Sequence, residues 1–388
     1  MKIDRVKIKN FKSLRDVDLT LSNLALLTGV NSSGKSSFIQ ALLLLKQNQN
    51  NLIQLSHYEM MNKLRTENIK IFEDFKVVAD NTFLIMDDKY VSLGEYKDIL
   101  YQDVYNENIE IKIFENNKYL KINYNSDLKI NIEQAITSGM LTYNLFLKDF
   151  QYICTDRISP QRTYSLSELD IKANLIGLRG EYTAHYLSEN KNKSLLIEKL
   201  KHKNSKTSQL LENTSLWLGE ISENIDIDST VNPSQNNATL SYSYKYSNGK
   251  TNKYNPLNVG FGITYVLPII VAILKSKPDD LIIIENPESH LHPAGQAKIA
   301  ELCAIASSCG VQIIVETHSD HFLNAIRVAT KKGLLEPEES SIYYFRKDRD
   351  ELETKINEIN IDKYGNIDNY PKGFFDEWDN KLDELLGL

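Results

Sequence analysis

Eight consecutive residues, Gly29-Val30-Asn31-Ser32-Ser33-Gly34-Lys35-Ser36, have the types and spacing needed to hold a polyphosphate. Gly29 and Gly34 let the backbone bend and approach an anion closely. Lys35 is long enough to reach the outer phosphates, and the Ser36 hydroxyl can hold Mg2+. Asn31, Ser32, Ser33 and Ser37 complete the candidate phosphate contacts. A chance match in a loop is the bland alternative, and the flanks argue against it. The apolar run Leu24 to Leu27 reads as a buried strand before the loop, and Ser37 to Lys46 reads as a buried helix after it. A helix starting there points its unpaired N–H groups and positive dipole end at the anion. The pattern predicts ATP or GTP as ligand.

A second set of chemical groups lies far along the chain. Leu281-Ile282-Ile283-Ile284 runs into Glu285-Asn286-Pro287-Glu288. An acid at the carboxyl end of a parallel strand beside the P-loop strand can hold Mg2+ through water. The next apolar run, Val311 to Val315, ends in Glu316-Thr317-His318-Ser319, where His318 can sense a terminal phosphate.

These groups need a scaffold. Gly262 to Lys275 reads as an apolar helix containing Pro268, Pro293 to Ser308 as another helix, and Leu281 to Ile284 and Val311 to Val315 as buried strands. Helices alternating with continuous apolar strands predict a doubly wound α/β sheet. Asp4 to Phe11, Asp16 to Leu21, Glu110 to Phe114, Tyr119 to Tyr124, Phe150 to Cys154 and Leu240 to Tyr246 read as further strands, the last with Leu240, Tyr242, Tyr244 and Tyr246 on one face. A short helix is expected near Tyr58 to Leu64, another over Ser208 to Ile221, and a polar stretch from there to Asn237. The chain thus divides into 1–51, the first lobe of the head with the P-loop; 52–255, a mixed insertion; 256–340, the second lobe; and 341–388, a strand hairpin and tail.

The 388 residues carry 45 Lys plus Arg against 52 Asp plus Glu, a net charge of −7. Such a chain is no generic nucleic-acid binder; DNA or RNA contact requires a local patch. Three cysteines, Cys154, Cys303 and Cys309, argue against a disulfide framework. Met1-Lys2-Ile3-Asp4-Arg5 opens without an apolar secretory stretch, and the longest apolar runs are too short for a bilayer. The expectation is a soluble, cytoplasmic protein with no membrane contact.

Taken in order, Asn31-Ser32-Ser33-Gly34-Lys35-Ser36, Gly260-Phe261-Gly262, Glu285-Asn286-Pro287-Glu288-Ser289-His290-Leu291-His292-Pro293 and Glu316-Thr317-His318-Ser319-Asp320 resemble the ABC-type ATPases of the RecF, SMC and OLD group, often filed under AAA. Ile8-Lys9-Asn10-Phe11-Lys12-Ser13-Leu14 looks like the opening of that group. Gly177-Leu178-Arg179-Gly180-Glu181-Tyr182, Asp362-Lys363-Tyr364-Gly365-Asn366 and Pro371-Lys372-Gly373-Phe374-Phe375-Asp376 resemble a narrower subgroup, bacterial ATPases with a C-terminal domain of unknown function. The resemblance implies a P-loop ABC-type ATPase head with a large mixed α+β insertion, ATP and Mg2+ as cofactors, and a homodimer closed around two ATP molecules. Gly260, Phe261 and Gly262 would be the signature that caps the partner's ATP, although Gly260 stands where the group usually has Ser. Glu285 and Ser36 would hold the metal. Many relatives follow the metal-holding acid with a Glu that polarises water; here that residue is Asn286, which cannot accept a proton. Glu288 or His318 would substitute for it, or hydrolysis would be slow.

Other constellations carry less. His290, His292, His318 and His321 lack the accompanying Cys of a zinc site and read better as sensing and capping groups. Asp348-Arg349-Asp350 has the form of a nuclease acid cluster but sits between two strand-like runs, Ser341 to Phe345 and Thr354 to Ile359, as a hairpin turn would. Six Lys and Arg within Met1 to Arg15, and six Lys within Lys191 to Lys206, are either solvated faces or phosphate contacts. The combined expectation is an ATP-gated dimeric switch with slow hydrolysis, signalling to a separately encoded effector in anti-phage defence or DNA maintenance. A nucleotide-locked, non-hydrolysing scaffold is the alternative.

Overall fold

The P-loop is entered from a strand, Leu24–Gly29, and left through a helix, Lys35–Gln47, because an all-apolar run can be buried on both faces and the Phe38-to-Leu45 segment is apolar almost all round. The computed structural model describes residues 2–52, 75–102, 108–116, 118–127, 129–134, 143–347 and 352–387. The helix expected near Tyr58 to Leu64 and the Asp348-Arg349-Asp350 turn lie outside them. The chain divides into two compact units, one of Met1–Leu21, Gly29–Leu147 and Tyr343–Glu358, the other of Ser22–Thr28, Lys148–Ile342 and Ile359–Leu388. Residues of the expected insertion are found in both.

The first unit holds an antiparallel six-stranded sheet, in the order Leu14–Thr20, Arg5–Phe11, Ile109–Glu115, Lys118–Tyr124, Lys129–Gln134 and Phe75–Phe83. Period-2 alternation buries Val6, Ile8, Ile111, Ile113, Leu120 and Ile122. It also turns Arg5, Lys7 and Lys9 outward. These cations are met across the hairpin by Asp18 and Asp16, at 2.6 Å for Arg5 and 3.7 Å for Lys9, so the basic stripe seen in sequence is locally neutralised.

In the second unit four parallel strands run in the order Gln151–Ile153, Leu281–Glu285, Gln312–Glu316 and Leu24–Gly29, the last through its Leu24–Thr28 part. Register pairs Glu285 with Glu316 and Glu316 with Leu27, so the acids stand side by side at the carboxyl ends. The chain enters the P-loop two residues after Leu27. Helices Phe261–Leu274, Pro293–Ser308 and Asp320–Lys331 accompany this sheet.

One expected polar stretch is corrected. Ile225–Asn232 is a strand, paired along its length with Asn237–Tyr246. Ile225, Ile227 and Ser229 face inward while Asp226 and Asp228 face outward and pair with Lys250 and Lys253. The face expected on its partner is also shorter than the sequence suggests. Ala238, Leu240 and Tyr242 are buried, but Tyr246 is exposed near the strand's end.

Candidate functional site

In the first unit the P-loop takes up the conformation its glycines permit. Gly29 (φ 138°), Ser32 (φ 61°) and Gly34 (φ 106°) lie in the left-handed region, and Lys35 opens a 13-residue helix. Val30, Asn31, Ser32 and Ser36 form an exposed rim, Ser37 is half-buried, and Ser33, Gly34 and Lys35 are buried behind it. The Lys35 ammonium donates to the carbonyls of Gly29 at 3.0 Å and Val30 at 2.9 Å, which holds a positive charge over the loop. An anion with several oxygens fits this rim of backbone donors, helix start and lysine. The exposed Ser36 hydroxyl suits a hard, oxygen-seeking cation.

In the second unit the end of the Leu281–Glu285 strand is tied down by side chains. Glu285 accepts from the Tyr152 hydroxyl at 2.9 Å, the Thr155 N–H at 3.1 Å and the Thr155 hydroxyl at 2.9 Å. Burial and the Glu285 carboxylate push the Tyr152 phenol above its usual range, so it stays a donor. Asn286 sits at φ 45°, a left-handed conformation that Asn tolerates better than most residues. Its N–H donates to the Glu316 carbonyl at 2.8 Å and its amide to the Thr155 hydroxyl at 3.0 Å. Glu288 accepts from the His318 N–H at 2.7 Å. Thus Glu285, Asn286, Glu288 and His318 lie together at the ends of these strands.

The centre of this cluster is a buried arginine. Arg157 is 1% exposed, and its guanidinium donates to the carbonyls of Glu285 at 2.7 Å, Asn286 at 2.8 Å and Cys154 at 3.3 Å. It also lies 4.3 Å from the centre of the Tyr265 ring. The Tyr265 hydroxyl in turn donates to the Thr155 carbonyl. Burial pulls the Arg157 pKa down, while the charges of Tyr265, Cys154, Glu288 and Glu285 oppose that pull. Two buried oxygens, Asn286 Oδ1 and Glu288 Oε2, have no partner among the described residues. Spare oxygen acceptors beside an anchored carboxylate are a donor set that fits Mg2+ and its water ligands.

The candidate signature packs against the same cluster. Gly260 caps the Phe261–Leu274 helix at φ −51°, with room for a Cβ, which would meet the Ile263 side chain at 3.7 Å. A Cβ on Gly262 would overlap the His290 carbonyl, so that glycine is needed for close packing whatever else it does. The His290 ring meets those of Phe261 at 4.7 Å and Tyr265 at 4.9 Å edge-on, and the Phe261 and Tyr265 rings lie 5.2 Å apart, tilted by 32°. Phe261 and His290 are exposed. His292 caps the Pro293–Ser308 helix by accepting from the Ala294 N–H. The sequence showed no role for Tyr152, Thr155 or Tyr265.

Comparison with known proteins gives a family and a fold. The family described as AAA ATPase domain matches residues 1–323, and a family described as a protein of unknown function (DUF3696) matches residues 335–385. No curated protein matches. Among solved structures, an SMC head bound to the C-winged helix domain of ScpA is similar over 94% of this chain and 99% of that one, at 15% identity and a TM-score of 0.52. At that identity the likeness is one of fold. The SMC head domain from Thermotoga maritima is also similar, at 11% identity over 93% of this chain and 100% of that one, with a TM-score of 0.46.

Proposed function

The chain belongs to the AAA ATPase domain family, and from that premise we propose an ATP-gated dimeric switch that hydrolyses slowly. The fold is that of a P-loop ABC-type ATPase head, and the chain is an ATP-binding ATPase of that type. In the proposed cycle, residues Gly29 to Ser37 hold the polyphosphate. Ser36 and Glu285 would hold the metal, which would neutralise phosphate charge when bound. Gly260, Phe261 and Gly262 would meet the nucleotide of a second copy. The order of events then gives a binding-driven closure whose lifetime is set by hydrolysis.

The observation that carries slow turnover is Asn286. It occupies the position after the metal-holding acid, its amide nitrogen is engaged with Thr155, and it has no basic atom. Glu288 is the alternative base, already anchored to the His318 N–H. A nucleotide-locked scaffold is the competing reading, and that engaged amide favours it. Signalling to a separate effector in anti-phage defence or DNA maintenance extends the proposal by analogy; an SMC head of similar fold is bound to a domain of ScpA.

The test is to measure the protein's size with and without ATP and Mg2+, and then its turnover with DNA and with RNA added. ATP-dependent dimers with slow release of phosphate are expected. A monomer under every nucleotide condition would overturn the switch. Dimers that never hydrolyse ATP would select the scaffold.

A further inference from the structure

The 335–385 segment, matched to a family of unknown function, contributes a hairpin to the first unit: Ser340–Lys347 and Thr354–Ile359, through their Tyr343–Lys347 and Thr354–Glu358 parts. That hairpin lies against both P-loop glycines. A Cβ on Gly29 would overlap the Phe345 carbonyl, and one on Gly34 would overlap the Thr354 hydroxyl. Thr354 is 4% exposed. Its N–H donates to the Ser13 carbonyl at 2.9 Å. Its hydroxyl lies 2.8 Å from the Ser33 carbonyl and 2.8 Å from the Ser13 hydroxyl. A hydroxyl has one proton to give. The Ser33 carbonyl can only accept it, which leaves the Ser13 hydroxyl to donate in return.

We propose that Thr354 is a positioning residue of the ATP site, and that the hairpin carrying it is the back wall of the P-loop. The peptide joining Ser33 to Gly34 is planar and trans, so its C=O and N–H point in opposite directions. Anchoring the Ser33 oxygen to Thr354 therefore aims the Gly34 N–H away from the hairpin. The left-handed residues at Ser32 and Gly34 make this peptide prone to rotate, and the Thr354 bond fixes it before a ligand arrives. Preorganised donors bind more tightly than donors that must first be turned.

The inference rests on the reading that this P-loop binds ATP, so the experiment carries Lys35→Ala as a separate arm. Titrate a fluorescent ATP analogue into the parent, Lys35→Ala, Thr354→Val and Thr354→Ser, and record each melting temperature without nucleotide. Thr354→Val keeps the shape and removes the donor. About 10-fold weaker binding is expected, in line with one buried carbonyl left without its partner, and Thr354→Ser should recover to within about 3-fold of the parent. Unchanged affinity in Thr354→Val, or an equal loss in Thr354→Ser, would overturn the assignment while leaving the P-loop reading intact. A parent that does not bind, or a Lys35→Ala that binds as the parent does, would overturn both. If Thr354→Val does not fold, Ser13→Ala replaces it. That variant loosens the same anchor from the other side and should weaken binding about 3-fold, whereas no change would again count against the proposal.

Discussion

Where the P-loop is held mainly by its own residues, with Thr354 as a distant anchor, the end of the Leu281–Glu285 strand is held throughout by side chains that arrive from far along the chain. Gly29, Ser32, Gly34 and Lys35 are near neighbours in sequence, and Lys35 bonds carbonyls of its own loop. Glu285 depends on Tyr152 and Thr155, and the Glu285 and Asn286 carbonyls depend on Arg157, all about 130 residues earlier. Local construction ties function to a few residues and leaves stability mostly elsewhere. Long-range construction makes the same residues serve both. The two regions should therefore fail in different ways when altered.

The largest expected effect is at Arg157. Arg157→Met removes the donor to the part-buried carbonyls of Glu285, Asn286 and Cys154, at up to about 1 to 3 kcal/mol each before relaxation. A net loss of about 3 kcal/mol would lower the melting temperature by about 6 to 12 °C for units of this size. Lys35→Ala should shift it by less, because the two carbonyl bonds it loses are offset by removal of a buried charge. Equal melting of the two variants would break the comparison.

Next comes the water-activating position. Asn286→Glu should raise phosphate release by up to about 100-fold, the lower end of what a positioned general base contributes. A gain below that ceiling is expected because Glu is less at ease at φ 45°. Glu288→Gln keeps an acceptor for the His318 N–H but loses the charge, and should nearly abolish turnover with ATP binding retained. If neither change moves the rate, activation of water lies elsewhere and His318 is the next residue to alter.

The two signature glycines separate structure from assembly. Gly262→Ala must displace the His290 carbonyl and should cost about 1 to 3 kcal/mol, read as a fall in melting temperature. Gly260→Ala has room and an ordinary φ, so it should melt as the parent does while weakening ATP-dependent dimers. Loss of stability in Gly260→Ala, or none in Gly262→Ala, would reverse these roles.

The smallest effect is on pH dependence. Glu220 is met by Lys298 at 3.0 Å, His202 at 3.0 Å and Lys203 at 3.5 Å. Burial pushes its pKa up, but these partners outweigh burial and hold it at about 2, below the ordinary 4.5. A carboxylate depressed in the folded state adds stability that is full above pH 4.5 and is lost as pH falls toward 2. In urea unfolding, Glu220→Gln should therefore be less stable than the parent at pH 7, with the gap closing between pH 4.5 and 2. A gap that widens on acidification would contradict the sign.

How much of this was legible in the sequence follows from the same contrast. The P-loop, the acid-ended strand and the histidine strand could be read because their chemistry is contiguous and their flanks are apolar without interruption. Strand Ile225–Asn232 escaped because Asp226 and Asp228 fill its outer face, so its apolar half looked like scattered isoleucines in a polar stretch. Gly262 was visible as a glycine, but its packing against the His290 carbonyl was not. Tyr152, Thr155, Arg157 and Tyr265 meet only through the order of parallel strands, which no local pattern encodes.

The measurement that bears most directly on the account is an ATP titration of the parent and of Lys35→Ala. Loss of a charge-assisted contact to phosphate corresponds to about 100-fold weaker binding. The account predicts that drop with little change in the melting temperature of the free protein. Equal affinity in the two proteins would contradict it.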